Sequence, residues 1–309
     1  MGPDGSAAER RAYDTFGWQG ISLTIPVGWE LVFTRGDRSS GYVRLADEER
    51  DRLEVRWERP RNPSSPARTV DTYVQKLEKR LRKDGIEVSV RRGIGLASPV
   101  GKEVECYRWD ARQRGLAMLS ICNECDRLVH VQVLGDRDES MNNLARTVFA
   151  SLQDHPEDGA DLWRFFDVEF RAPADLPLKS SSLKAGCIRM VFKDKRRRLE
   201  FVRMSLAEVV LAGKSLREWF EDFYSGRLKK YRSEIEEERL EGHEGLLVAG
   251  RGKLLSNPLG LVGRRRQLRA GCWHCEETNR LMICAFEGLE RYEDVFSDAL
   301  ASFVCCTGD

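Results

Sequence analysis

Two stretches of the chain, residues 20–26 and 167–173, alternate apolar and polar side chains and end in a proline. Alternation with a period of two is typical of a β-strand that has one buried face and one exposed face. A tryptophan precedes each stretch, Trp18 before the first and Trp163 before the second. The pattern therefore predicts an equivalent opening strand in each half of the chain.

A β-hairpin is predicted after each opening strand. Its two strands fall at residues 41–45 and 52–55 in the first half and at residues 186–190 and 198–201 in the second half. Charged, turn-forming residues separate the strands in both copies, as the connection of a hairpin requires. The order of predicted elements is thus the same in both halves up to this point.

An amphipathic helix is predicted next in each half. Thr69 is the candidate N-cap of the first helix, whose apolar residues recur at helical intervals over residues 70–81. Ser215 is the candidate N-cap of the second helix, predicted over residues 216–228, and Glu218 completes a capping box. The two halves therefore share a helix after the first hairpin.

The closing part of each half contains a Cys-x-x-Cys pair, a strand and a final helix. The pairs are Cys122 with Cys125 and Cys272 with Cys275, and the strands that follow are predicted at residues 127–134 and 280–286. Further strand-like stretches precede the pairs at residues 87–92, 103–109 and 116–122 and at residues 234–240, 246–252 and 264–270. Runs of consecutive strands followed by helices indicate an antiparallel sheet with helices packed on it.

These repeated patterns predict an α+β protein made of two tandem repeats, each an antiparallel sheet with helices packed on it. The first repeat covers residues 16–154, the second covers residues 162–307, and residues 155–161 form the linker. The length of 309 residues agrees with this division, since a domain usually has roughly 150 residues.

Composition narrows the class of function. The chain is 41% hydrophobic and 33% charged with a formal net charge of +1, so no strongly basic surface indicates a nucleic-acid partner. No apolar run reaches the roughly 18–20 residues of a membrane-spanning helix and no secretion signal is apparent, so we expect no membrane insertion and a cytoplasmic location. The nine cysteines are an odd number, and in the cytoplasm a disulfide framework is not expected.

The order of elements described above resembles the PsbP-like superfamily, which includes the extrinsic photosystem II subunit, a Ran-binding nucleotide-release factor and chaperones of type VI secretion effectors. Each half of the chain resembles one domain of the family, so the resemblance covers essentially the whole chain. It depends on topology and not on a specific motif. It implies one antiparallel sheet with helices in each repeat. It also implies a protein that binds other proteins and performs no chemistry. This second implication is an analogy, because a fold does not fix a function.

The two Cys-x-x-Cys pairs also predict metal centres. If each pair lies at the tip of the closing hairpin, the C-terminal end of the last helix returns close to it. The predicted zinc ligands are Cys272, Cys275, Cys305 and Cys306 in the second repeat and, as a weaker set, Cys122, Cys125 and His155 in the first. Thiolate and imidazole groups suit Zn²⁺, and the ion would pin the last helix to the sheet.

Two other interpretations of the cysteines stay open. In the first interpretation they are structural thiols without metal. Zinc knuckles commonly have a glycine after the second cysteine, and this chain has Asp126 and Glu276 at those positions. Alternatively the chain is a metal- or thiol-dependent enzyme that uses Cys272 and Cys275. A redox dithiol, however, needs its first thiol at a helix N-terminus, whereas this pair precedes a strand.

We therefore expect a non-enzymatic binding protein with a protein or peptide partner and no catalytic residues. The sequence contains no Walker motif and no nucleophile elbow. Exposed apolar surface commonly marks a partner site. The candidate contact residues are Trp18, Trp29, Trp163 and Trp273.

Overall fold

The computed structural model describes residues 13–60, 65–96, 99–253 and 266–306. The chain divides into two compact units. Unit 1 comprises Met1–Glu157 with Arg164–Phe166, and unit 2 comprises Asp158–Trp163 with Asp167–Asp309. No helix in the described ranges combines the length and the apolar character that crossing a lipid bilayer requires.

The first part of the chain contributes nine strands and two helices among the described residues. The strands are β1 (Tyr13–Trp18), β2 (Ile21–Pro26), β3 (Glu30–Gly36), β4 (Ser40–Ala46), β5 (Asp51–Glu58), β6 (Ser89–Arg92), β7 (Lys102–Asp110), β8 (Arg114–Cys122) and β9 (Leu128–Gly135), and the helices are α1 (Pro66–Lys83) and α2 (Asn142–Ala150). Strands β1 and β2 form an antiparallel hairpin. The other seven strands form an antiparallel sheet in the order β3-β4-β5-β9-β8-β7-β6.

The second part contributes nine strands and three α-helices among the described residues. The strands are β10 (Ala160–Phe165), β11 (Val168–Pro173), β12 (Leu178–Lys184), β13 (Cys187–Lys193), β14 (Arg198–Ser205), β15 (Tyr231–Leu240), β16 (His243–Gly252), β17 (Arg266–Cys275) and β18 (Arg280–Leu289), and the helices are α3 (Ala207–Leu211), α4 (Leu216–Leu228) and α5 (Glu293–Ala301). A 3₁₀ turn, Glu290–Tyr292, precedes α5.

The sheet of unit 2 has the order β12-β13-β14-β18-β17-β16-β15. By position along the chain this is the strand order of the unit 1 sheet. All pairings in both sheets are antiparallel, so the fold is α+β as the sequence predicts. The predicted stretch 264–270 becomes β17, and its residues 264 and 265 lie outside the described residues.

The long helix of each unit covers one face of its sheet. Helix α1 packs on β7 and β8 through the buried side chains of Val70 and Val74. Helix α4 packs on β15, β16 and β17, with Phe220 fully buried. The short final helix α5 lies on the opposite face, where a side chain at Gly271 would meet Leu300.

The helix start predicted at Thr69 is wrong by one turn. Helix α1 begins at Pro66, with Ser65 as its N-cap. A proline suits the first helical position because its fixed φ matches the helix and its missing N–H has no intrahelical acceptor to lose. The N-cap predicted at Ser215 is confirmed: its side chain accepts from the Glu218 N–H at 3.2 Å, and its own N–H donates to the Glu218 carboxylate at 2.9 Å.

The four tryptophans suggested as partner contacts are all buried. Trp273 is completely inaccessible, and Trp29, the most exposed of the four, has 9% of its surface accessible. A large apolar ring on the inward side of a strand contributes to the core and contacts no partner. The candidate contacts Trp18, Trp29, Trp163 and Trp273 are therefore corrected to core residues.

Candidate metal centres

Unit 2 brings four potential metal ligands together: His243, Cys275, Cys305 and Cys306. One ligand atom of each lies within 4.8 Å of the ligand atoms of the other three. The Sγ atoms of Cys305 and Cys306 are 3.7 Å apart, and Cys306 Sγ is 3.5 Å from His243 Nε2. A tetrahedral Zn²⁺ with bonds of about 2.3 Å to sulfur holds two sulfur ligands about 3.8 Å apart. The cluster thus has the composition and spacing of a Cys₃His zinc site.

The sheet positions two of these ligands. Cys275 is the last residue of β17, and His243 is the first residue of the neighbouring strand β16. The register pairs Gly245 with Trp273. Continued by two residues, this register places His243 opposite Cys275, and directly opposed side chains of antiparallel strands are neighbours.

The segment after α5 supplies the other two ligands. Val304 forms an isolated β-bridge with Glu169, and its N–H donates to the Glu169 carbonyl at 3.0 Å. This bridge sets the path of the chain, so that Cys305 and Cys306 reach the ends of β16 and β17. An ion held there would join the end of the helix segment to two strands of the sheet.

Cys272, which the sequence predicts as a zinc ligand, lies outside this cluster. Residues three apart in an extended strand face opposite sides of the sheet, so Cys272 and Cys275 cannot point to one ion. The Cys272 side chain belongs to the apolar core beneath α4, together with Phe220 and Ile283. Burial raises the pKa of its thiol far above the ordinary value. Cys272 is therefore a core thiol, and His243 completes the cluster in its place.

Two thiols of the unit 2 cluster, those of Cys275 and Cys305, are buried. Cys275 is fully buried and accepts a hydrogen bond from Thr278 Oγ1 at 3.0 Å. Burial also raises the pKa of the Cys305 thiol. Zinc would bind Cys305 as a thiolate, with release of its proton.

Unit 1 contains a second cluster, formed by Cys122, Cys125, Asp154 and His155. Cys122 Sγ is 3.7 Å from His155 Nδ1, and Cys125 Sγ is 3.5 Å from Asp154 Oδ2. Burial raises the pKa of the Cys125 thiol to about 11. The three ligands that the sequence predicts for the first repeat therefore meet, and Asp154 adds a carboxylate that the prediction omitted.

The turn after β8 brings the two unit 1 cysteines to the same side. Cys122 ends the strand, and the N–H of Asp126 donates back to its carbonyl at 3.1 Å. Asp126 has a φ of +55°, the left-handed conformation that a glycine usually supplies. Aspartate tolerates this conformation better than most residues, so the missing glycine does not prevent a knuckle-like turn here.

The register of the closing hairpins identifies corresponding positions in the two units. The N–H of Cys122 donates to the carbonyl of Arg127 at 3.0 Å, and Cys275 is paired with Arg280 across the two strands. A turn of four residues separates each pair. Cys122 therefore corresponds to Cys275, although the Cys-x-x-Cys motif matches it to Cys272.

The residue opposite this shared cysteine differs between the units. Lys102 is paired with Cys122, in the place that His243 occupies opposite Cys275. Its ammonium forms an ion pair with Asp154, and the two side chains are only 6% and 1% exposed. Burial alone would raise the pKa of Asp154, but the hydrogen bond and charge of Lys102 outweigh this and lower it. Unit 1 thus carries a cation of its own within its cluster.

The remaining ligands correspond by their distance from the final helix. Asp154 and Cys305 follow the last residue of α2 and of α5, respectively, by four positions, and His155 and Cys306 follow by five. In both units the residue before them is bridged to the neighbouring strand. The two clusters are thus built on the same positions with different donor atoms.

Six of the seven predicted ligands lie in these two clusters. Cys272 does not, and His243 and Asp154 were missed. Asp154 is adjacent in sequence to the predicted ligand His155, which is a usable signal. No local signal identifies His243, since only the pairing of β16 with β17 brings it to Cys275.

No protein-family model matches the chain, and no curated protein sequence matches it significantly. Among solved structures, the chain is similar to the cyanobacterial PsbP protein (CyanoP) of Synechocystis sp. PCC 6803. That match has 14% sequence identity and a TM-score of 0.36, and covers 50% of this chain and 98% of the other.

A second similar structure is the immunity protein TplEi of the type VI secretion system of Pseudomonas aeruginosa, complexed with an "L" peptide. Its sequence identity is 13% and its TM-score is 0.31, and the match covers 94% of this chain and 97% of the other. The first of these matches is to a PsbP protein, the kind of protein that the order of elements resembles, and the second is to an immunity protein. Both matches concern the fold alone.

Proposed function

We propose that this chain is a non-enzymatic protein-binding protein built from two PsbP-like repeats, residues 16–154 and 162–307, with a structural zinc ion in the second. The observation that carries the metal assignment is the closed set His243, Cys275, Cys305 and Cys306, whose ligand atoms lie within 4.8 Å of one another. Four protein ligands complete a tetrahedral shell and leave no position for substrate, which is the arrangement of structural zinc.

The alternative, a thiol-dependent enzyme that uses Cys272 and Cys275, has little support in this geometry. Both thiols are completely buried, and buried structural cysteines are inert. Within one extended strand their Cα atoms are about 10 Å apart, beyond the roughly 7 Å that a disulfide allows. The pair therefore suits neither thiol–disulfide exchange nor attack on a substrate.

An exposed apolar face on α3 supports the protein-binding part of the proposal. Leu206, which immediately precedes this short helix, and Val209 within it are 61% and 71% exposed. Leu206 and Ala212, which flank the helix, have φ values of +57° and +51°, a left-handed conformation that costs non-glycine residues energy. Backbone strain of this kind tends to be retained at functional positions. We assign this face to contact with an apolar segment of a protein partner.

Elemental analysis tests the zinc assignment. We expect protein purified without chelator to contain about one zinc per chain, as a closed structural site predicts. Replacement of zinc by Co²⁺ should give the visible absorption of a tetrahedral thiolate complex. Cys187→Ser is the matched control, because Cys187 lies on β13 outside both clusters. Metal-free protein that folds normally and takes up no Co²⁺ would remove the assignment.

Comparative affinity capture tests partner binding. Extracts of the native cell are passed over the wild-type chain, over the double variant Leu206→Ser, Val209→Ser, and over the control Glu208→Ser on the same helix. A genuine partner is retained by the wild type and by the control and lost with the double variant. Identical sets of bound proteins on all three columns would contradict the assigned face. Zinc content is measured for each variant, so that failure of either half of the proposal is seen separately.

A further inference from the structure

Unit 1 contains a cavity of about 170 Å³ between α1 and the helix-facing side of its sheet. Tyr73 and Lys76 from the helix and His130 and Gln132 from β9 are among the residues that line it. Cavities of roughly 150 Å³ in protein cores are large enough to hold a benzene molecule. The space therefore suits a small molecule with a single ring.

The corresponding face of unit 2 shows what this region looks like when it serves only as core. In unit 2, Val202 on β14 is paired with Ile283 on β18 beneath α4, and both are buried. Counted from the closing hairpin, the matching pair in unit 1 is Arg56 with His130. A buried apolar pair has thus been replaced by a cation and an imidazole at the same place in the sheet.

Two further positions show the same change. Ala285 of unit 2 corresponds to Gln132, and Val248 corresponds to Tyr107. The unit 2 residues belong to the apolar core, whereas the unit 1 residues line the cavity. Burying a polar group costs free energy unless it is hydrogen-bonded, and His130 and Gln132 are bonded to Tyr107 and Glu54. Unit 1 therefore lines one cavity with four polar side chains at positions that are apolar core in unit 2.

Unit 2 also fills the corresponding region with its own anion. Glu200 is fully buried and forms ion pairs with Arg189, Arg198 and Arg227. Its counterpart in unit 1 is Glu54, which is paired with Gln132 across the sheet, as Glu200 is with Ala285. In unit 1, Glu54 is one of the residues that line the cavity.

The charges around the cavity favour an anion. Arg56, Lys76 and Arg80 line it, and Glu54 is the one acidic lining residue. The Glu54 carboxylate already accepts hydrogen bonds from Gln132 and from Tyr42. Three cations against one partnered carboxylate leave an excess of positive charge for an incoming anionic group.

Aromatic rings form the inner wall. His130 is 7% exposed, and its ring stacks on those of Tyr73 and Tyr107 at centroid distances of 4.7 and 5.9 Å. Tyr107 Oη lies 2.8 Å from His130 Nε2. Burial, followed by the charge of Arg56, lowers the pKa of His130 to about 3, so the imidazole is neutral at physiological pH. The wall is therefore flat, uncharged and able to form hydrogen bonds, while the cations lie around it.

We propose that unit 1 binds a small planar organic anion in this cavity, with the ring against the tyrosine and histidine wall and the anionic group beside Arg56 and Lys76. The inference goes beyond the proposed partner and zinc functions and involves none of their residues. Arginine suits a carboxylate or a phosphate, since its planar guanidinium forms paired hydrogen bonds with either.

Ligand-observed and protein-observed NMR titrations of the full chain test this site, with benzoate, phenyl phosphate and benzamide as probes. We expect benzoate or phenyl phosphate to bind and to shift signals of unit 1 residues around the cavity. Benzamide has nearly the same shape without the charge, so its affinity should be at least tenfold lower. The better of the two anions identifies the anionic group as carboxylate or phosphate.

Lys76→Met and Lys79→Met form the matched pair of variants. Both lysines are exposed on α1, but only Lys76 lines the cavity. Loss of one charged contact should weaken anion binding about tenfold in Lys76→Met and leave it unchanged in Lys79→Met. Exposed substitutions of this kind leave folding intact, and the zinc content of both variants should equal that of the wild type.

Three results would overturn the proposal. One is the absence of any shift with either anion at millimolar concentration. Another is equal affinity for benzoate and benzamide, which would exclude recognition of charge. The third is equal weakening by the Lys76 and Lys79 variants, which would indicate diffuse attraction to the positive surface of α1.

Discussion

The two Cys-x-x-Cys pairs have the same spacing in sequence and different geometry in the fold. In unit 1 the pair starts at the last residue of β8 and continues into a turn, so Cys122 and Cys125 join one cluster. In unit 2 the whole pair lies within β17, where Cys272 and Cys275 face opposite sides of the sheet. A cysteine motif therefore defines a metal site only together with the element that carries it.

The clusters also differ in how their electrostatics are balanced. Unit 2 places three thiols and the imidazole of His243 together, a donor set that suits a soft divalent metal ion. Unit 1 places Lys102 in the position of His243, and this ammonium pairs with Asp154. At corresponding backbone positions, the proposed zinc ion would hold the unit 2 ligands together, whereas Lys102 pairs with Asp154 in unit 1.

The largest effect is expected from removal of a zinc ligand. Cys275→Val should abolish bound zinc and lower the free energy of unfolding by about 4 kcal/mol or more, as loss of a structural metal does. Cys272→Val, three residues away, should keep the zinc and cost about 1–3 kcal/mol, because it adds about one methyl group to a packed apolar core. Elemental analysis and urea denaturation measure both quantities. Retention of zinc by Cys275→Val would contradict the comparison.

The next effect concerns the lysine that closes the unit 1 cluster. Lys102→Met should lower the free energy of unfolding by roughly 3–5 kcal/mol, because it removes the ammonium that pairs with the buried carboxylate of Asp154. Arg108→Met is the control: its ion pair with Asp110 has a 39% exposed arginine, and such surface pairs contribute at most about 1 kcal/mol. Thermal and urea unfolding of both variants provide the comparison.

A second substitution at this position sharpens the same test. Lys102→His gives unit 1 the residue that unit 2 has at the corresponding place. We expect zinc content to rise from about one to about two per chain, since His and Cys ligands then complete the set without a competing ammonium. Unchanged zinc content, in a variant that remains folded, would show that the two clusters are less alike than their positions indicate.

A smaller difference is expected between the two corresponding glutamates. Glu200→Gln should lower the free energy of unfolding by about 2 kcal/mol, because it removes the charge of a fully buried carboxylate that is hydrogen-bonded to arginines. Glu54→Gln should change it by less than about 0.5 kcal/mol, since this residue lies at an accessible cavity and not in a packed core. Equal effects of the two substitutions would contradict the proposed difference between the helix-facing sides.

The smallest effect is a dependence of the Glu200 contribution on pH. Burial alone would raise the pKa of this carboxyl, but Arg227, followed by Arg189 and Arg198, holds it below the ordinary value. A carboxyl with a lowered folded pKa stabilises fully above its unfolded pKa of about 4.3 and loses this contribution as the pH falls through the folded pKa. The stability difference between wild type and Glu200→Gln should therefore be constant from neutral pH to about 5.5 and narrow below about 4. A difference that grows on acidification would contradict this sign.

Local chemistry accounts for the parts of the fold that the sequence predicted well. Ser215 and Glu218 are three residues apart, and a capping box needs only that spacing, so the start of α4 could be identified directly. The start of α1 was missed because Thr69 is also an acceptable cap, and the choice of Ser65 depends on the helix-compatible Pro66 that follows it. Hydrophobic pattern alone does not decide between two acceptable caps.

The sequence by itself determined the relative order of the strands and helices, except for β1, β3, β10, β12 and α3. It also placed Cys122 and Cys125 in one site and returned His155, Cys305 and Cys306 to the hairpin ends. Period-two alternation, capping chemistry and chain direction act over a few residues, so they can be read without a fold. Only the tertiary structure decided that Cys272 faces the core, that His243 replaces it, and that Lys102 closes the unit 1 cluster. These outcomes depend on strand register, because a shift of one residue turns a side chain to the other face and changes which residue lies opposite.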